Sequence, residues 1–122
     1  MSESGRIEIR GLRVVARHGL LPEERERAQP FEIDLDIEAD LGEAGRRDDL
    51  AATVDYGNVV RRVHDLAATR SFGLLEALAE AIAAEVLAEP RVEAVSVSVR
   101  KLRPPVAVDL GSVGVRVRRR RP

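Results

Sequence analysis

The stretch Phe31-Glu32-Ile33-Asp34-Leu35-Asp36-Ile37-Glu38-Ala39-Asp40-Leu41 decides how this chain folds. Every odd-numbered residue in it is apolar and every even-numbered one is acidic. A period of two sends the two sets to opposite faces of a β-strand, one toward a core and one toward water or cations. Toward the N-terminus, Ile7, Ile9, Leu12 and Val14 alternate with a phase slip at Gly11, which predicts a strand over 7–15 with a bulge or bend at the glycine. Residues 18–30 read as a polar loop broken by Gly19, Pro22 and Pro30. Toward the C-terminus, residues 42–53 read as a connection with room for one helical turn around Ala44. The period then becomes helical. Val59, Val60, Val63, Leu66 and Ala67 make one stripe over 57–69; Leu75, Leu78, Ala79, Ile82 and Val86 make another over 74–89, which Pro90 stops. Alternation returns over 92–102 and, beyond Pro104-Pro105, through Val113, Val115 and Val117.

The order ββααββ predicts an α+β fold, a four-stranded antiparallel sheet with both helices on its apolar face. Its other face would carry the acids of the second strand and arginines of the last two. Such a sheet has two free edges, and pairing with copies of the same chain removes them, so a homo-oligomer is expected.

At 122 residues and 13.4 kDa the sequence fits a single domain, 1–122. With no cysteine it can build no disulfide scaffold, zinc finger, iron–sulfur site or thiol nucleophile. Twenty basic and 21 acidic side chains balance to a net charge of −1, which supplies no overall field for nucleic acid or an anionic membrane. The run Arg118 to Arg121, without aromatic neighbours, reads as a solvated end. Apolar runs are short and residues 1–10 carry no basic-then-apolar signal pattern, so a cytoplasmic chain is expected. His18 and His64 stand far apart in no metal-ligand spacing, and no metal is expected.

Four residues at element ends could carry chemistry. Lys101, the single lysine among 20 basic residues, ends the third strand. It reads either as a rim lysine or as a group that, unlike a guanidinium, can give up a proton. Tyr56, the single tyrosine, stands at the mouth of the first helix. Glu24 lies in the loop after the first strand. Glu76 lies in the first turn of the second helix, at the third position if Gly73 is the N-cap; there the dipole favours a carboxylate whether or not it binds anything.

The motifs His18-Gly19-Leu20-Leu21-Pro22-Glu23-Glu24-Arg25, Gln29-Pro30-Phe31, Thr53-Val54-Asp55-Tyr56-Gly57, Leu74-Leu75-Glu76-Ala77-Leu78-Ala79-Glu80 and Lys101-Leu102-Arg103-Pro104-Pro105 occur in that order. Together they resemble the dihydroneopterin aldolase family. The resemblance implies the tunnelling fold, in which four subunits close a β-barrel with helices outside and two rings commonly stack into an octamer. It implies active sites between subunits, with Glu24 and Tyr56 completing a pocket that carries Glu76 and Lys101 of another chain. By motif, Glu76, with the backbone of Leu75, anchors the amino-pyrimidinone edge of a pterin. Lys101 is the catalytic acid/base, Tyr56 helps protonate the intermediate and Glu24 contacts the substrate. No cofactor is implied, because the substrate's own imine would accept the electrons. The same resemblance leaves open a dihydroneopterin triphosphate 2′-epimerase, for which Arg17, Arg25 or Arg103 could hold phosphate, and a non-catalytic pterin- or purine-binding barrel.

Overall fold

The computed structural model describes residues 3–122; Met1 and Ser2, part of the N-terminal segment read for a signal pattern, lie outside it. Four strands, β1 (Ser4–Ala16), β2 (Gln29–Asp40), β3 (Ala94–Lys101) and β4 (Val113–Arg120), form one antiparallel sheet in the order β1-β2-β3-β4. Its register breaks between Ile9 and Leu12, where Gly11 adopts φ 72°, so the phase slip in the sequence is a β-bulge. Two long helices, α3 (Tyr56–Thr69) and α4 (Leu75–Leu87), cross between β2 and β3 and cover the apolar face. Phe31, Ile33, Leu35 and Ile37 of β2 and Val95, Val97 and Val99 of β3 are essentially sealed there against Val63, Leu78, Ile82 and Val86. Each such burial contributes roughly 1.5–3 kcal/mol, which makes β2 and α4 the spine of the core.

One segment differs from the sequence reading, and two others carry more structure than it predicted. The expected loop over 18–30 contains a short helix, α1 (Pro22–Glu26), and β2 already starts at Gln29. Pro22 at its first turn and Glu23 and Glu24 beside it are helix-start signals, but five residues show no periodicity. The connection over 42–53 holds the expected helical turn around Ala44, as α2 (Gly42–Arg47), and adds a 3₁₀ turn (Leu50–Ala52). The basic run from Arg118 to Arg121 is exposed, as expected of a solvated end, but it is tied down. Arg118 forks onto Glu38 with two bonds of 2.8 and 2.9 Å, and Arg119 pairs with Glu80. Arg121 donates to the carbonyls of Leu87, Glu89 and Val92, closing the C-terminal end of α4, where carbonyls lack helical partners.

The outer face of the sheet matches its expected charge pattern, with β1 adding arginines of its own. Asp36 accepts from Arg10 at 2.7 Å and from Arg116 at 3.2 Å. Glu32 is held by Arg13 at 2.7 Å and by Arg100, and Arg100 also reaches Asp34 at 3.0 Å. The bonds from Arg100 and Arg13 lower the carboxyl pKa of Glu32. At Asp34 burial acts to raise it, but bonds from Arg100 and from the Gly11 N–H prevail and lower it.

Candidate active site

Lys101 is placed by the sheet. It ends β3 opposite Phe31 of β2, and the adjoining segment departs at once into the long 102–112 connection. Glu24 is placed by the turn after β1. There Gly19 takes φ 145°, and its bare Cα lies against the Glu24 carboxylate, so that a methyl group at this position would fall 2.2 Å from Glu24 Cδ. The turn swings α1 back over the β2–β3 ends and brings Glu24 Oε2 to 2.5 Å from Lys101 Nζ. Both side chains are largely shielded, with 9 % and 15 % of their surface exposed. A charge-assisted bond in such surroundings is among the stronger polar contacts a protein makes.

The third wall is the start of α4. Its N-cap is Leu74, with φ −116° and ψ 144° and no side-chain cap, rather than Gly73 as the sequence suggested. Leu75 and Glu76 are therefore the first and second helical residues, and their N–H groups have no intrahelical carbonyl to meet. Leu20, Gly73, Leu75, Glu76, Pro105 and Val113 are among the residues that enclose, with Glu24 and Lys101, a mostly apolar open pocket of about 350 Å³. The Glu76 carboxylate is exposed at its rim and has no ion-pair or hydrogen-bond partner among the described residues. One apolar slot thus presents a free carboxylate beside unpaired helix N–H groups, and a lysine–glutamate pair close by. Such a slot suits a flat heterocycle with a donor-rich edge.

Of the residues singled out in the sequence, the structure brings together Glu24, Leu75, Glu76 and Lys101, all from one chain. Glu24 had been expected from a neighbour; the turn at Gly19 instead folds it onto the same chain's Lys101. Tyr56 is not part of this grouping. It opens α3, is 63 % exposed, and is not among the residues that line the pocket. Among the described residues no cluster of three or more potential ligands is arranged for a metal ion, and no helix is long and apolar enough to cross a membrane.

His18 had no assigned role in the sequence. It is buried, 1 % exposed, with its ring edge-on to Phe31 and stacked on Phe72. Its Nδ1 accepts from the Phe72 N–H at 3.1 Å, so Nε2 carries the proton and donates to the Ala67 carbonyl at 2.7 Å. Burial pushes its pKa below the ordinary 6.5; the bond to Ala67 opposes that and the Lys101 charge adds to it.

Comparison with known proteins matches the chain to a family. Residues 7–118 fit the family model described as dihydroneopterin aldolase. A dihydroneopterin aldolase of Methylorubrum extorquens is 44% identical over 117 residues, covering 95% of this chain and 90% of the relative. The crystal structure of E. coli dihydroneopterin aldolase in complex with neopterin superposes with a TM-score of 0.86 at 25% identity, covering 94% of this chain and 98% of that one. The dihydroneopterin aldolase of Burkholderia thailendensis bound to guanine gives 0.80 at 30%, covering 98% and 93%. Fold alone would not carry function. Sequence identity spread over nearly the whole of both chains does more, and this chain belongs to the dihydroneopterin aldolase family.

Proposed function

We propose that the chain is a dihydroneopterin aldolase: it cleaves 7,8-dihydroneopterin into 6-hydroxymethyl-7,8-dihydropterin and glycolaldehyde, a step toward folate. The observation that carries this reading is the single slot in which the Lys101–Glu24 pair and the free Glu76 carboxylate face the same space. In this reading Glu76 accepts two N–H bonds from the amino-pyrimidinone edge, and the Leu75 backbone completes the anchor. Lys101, oriented by Glu24, removes the proton of the 2′-hydroxyl. The C2′–O⁻ electrons form the aldehyde as the C1′–C2′ bond breaks, and the bonding pair moves onto C1′ and into the ring imine, giving an enamine. Glycolaldehyde leaves, and a proton returned to C1′ yields the hydroxymethyl product. Because the dihydropterin is its own electron sink, the chemistry needs neither a metal ion nor a lysine Schiff base.

The oligomer belongs to the same proposal. Edge strands β1 and β4 have unused backbone groups, and Leu20, Leu74, Val106 and Val113 expose apolar surface around the pocket. A barrel of four copies, or two stacked rings, would cover both and would let Tyr56 of a neighbour reach the slot that its own chain denies it. A 2′-epimerase activity is the second reading. Arg17 and Arg25 share with Arg70 a cleft of about 520 Å³ that has no acidic lining, and Arg25 Nη2 lies 3.7 Å from where a Cβ on Gly73, a residue of the pocket, would stand. Assaying 7,8-dihydroneopterin against its triphosphate separates the two. Preference for the free alcohol supports the aldolase, and preference for the triphosphate with epimer as product overturns it. Borohydride added during turnover is expected to leave Lys101 unmodified; a trapped adduct would establish a Schiff base instead.

A further inference from the structure

His18 stands outside the chemistry just described, yet both walls of the slot meet at it. Besides the Phe72 N–H to Nδ1 bond, the neighbouring Gly19 N–H donates to the Phe72 carbonyl at 2.9 Å. Residues 18 and 19 therefore clasp both backbone groups of Phe72, as a strand partner would. One side of the clasp continues through Gly19 into α1, where Gly19 abuts the Glu24 carboxylate and its carbonyl accepts from Arg25 Nε at 3.2 Å. The other side continues from Phe72 through Gly73 into the start of α4, which carries Leu75 and Glu76. The bond from Nε2 to Ala67 ties the ring to α3, one step removed from both walls.

We propose that His18 is a positioning residue: through the acceptor Nδ1 of its neutral Nε2–H form it locks the turn bearing Glu24 to the segment bearing Glu76. It thereby sets the separation between the Lys101–Glu24 pair and the carboxylate that anchors the substrate. A backbone amide can only donate, so the lock needs an acceptor at this one atom. The tautomer is fixed from the far side by the Ala67 carbonyl. The choice of ligand rests on the aldolase reading; the clasp itself does not.

Two substitutions separate positioning from simple core packing. In His18→Asn the side-chain oxygen falls where Nδ1 was and can still accept from Phe72. His18→Gln places its amide where Nε2 was, keeping the Ala67 bond and losing the clasp. Both lose the ring, so both are expected to melt below wild type. Only His18→Gln should weaken neopterin binding by about tenfold and speed deuterium uptake in segments 18–26 and 71–76, with His18→Asn within about threefold of wild type in both. Equal losses in the two variants, or none in either, would overturn the proposal. If wild type itself fails to bind neopterin, the aldolase reading fails, and deuterium uptake alone still decides the clasp. Should neither variant fold, ¹⁵N-histidine spectra of wild type, which has only two histidines, give the answer. At neutral pH His18 is expected as the Nε2–H tautomer, and an Nδ1–H or doubly protonated ring would contradict the lock.

Discussion

At the scale of single residues, the account turns on why a lysine stands at position 101 in a chain that otherwise uses arginine. A guanidinium would pair with Glu24 as well or better, but it cannot cycle a proton at working pH. Lys101→Arg is therefore expected to lower kcat by on the order of 10²–10⁴ with KM changed only a few fold. Steady-state kinetics at saturating substrate checks this, and a near-normal kcat would leave Lys101 as a charge only. Glu76 makes the complementary case. It has no hydrogen-bond or ion-pair partner among the described residues, so Glu76→Gln should lower the melting temperature only slightly, through the lost favourable charge at the start of α4. It should cost neopterin affinity roughly tenfold or more, since an amide offers one acceptor and a clashing donor in place of two charged acceptors worth about 1.5–3 kcal/mol. Isothermal titration with a parallel melt tests both halves. Lys101 and Glu76 were legible in the sequence because scarcity and motif marked them. The pairing of Glu24 with Lys101 was not: it depends on one left-handed glycine, and its partners are 77 residues apart.

At the scale of elements, the long periodic segments were readable and the short ones only in part: the turn around Ala44 was expected and α1 was not. β2 declared itself by strict alternation, and α3 and α4 by their stripes, because burying one face imposes a period on the sequence. α1 has only five residues and no face to bury beyond Glu24, so composition was its only signal. The elements also predict how the fold responds to acid. The His18 pKa is lowered in the folded state, so below its ordinary value of 6.5 the unfolded chain binds the proton more readily. Its contribution is complete above about pH 6.5 and declines as pH falls below that. Glu32, Asp34 and Glu38, lowered mainly by bonds from arginines, act in a separate and more acidic window. Their stabilisation holds above the ordinary carboxylate range and is lost as pH falls through their depressed values. Thermal melts from pH 7.5 to 3 should accordingly show two stages of destabilisation. The gap between wild type and His18→Asn should narrow across the first stage; a constant gap from pH 7 to 5 would remove His18 from it.

At the scale of the whole molecule, a sheet with two open edges and an apolar collar around its pocket calls for further copies of itself. Light scattering at micromolar concentration is expected to give a mass four or eight times 13.4 kDa, and a fully active monomer would refute the shared site. The sequence could suggest closure from its edges but could not say which residues cross between chains. The fold narrows this by retaining Glu24 with Lys101 and leaving Tyr56 out of the pocket lining. The most direct test of the central claim is turnover of 7,8-dihydroneopterin by the purified chain, with products separated by chromatography. The account predicts 6-hydroxymethyl-7,8-dihydropterin and glycolaldehyde in equal amounts. Unchanged substrate, or conversion to the 2′-epimer alone, would contradict it.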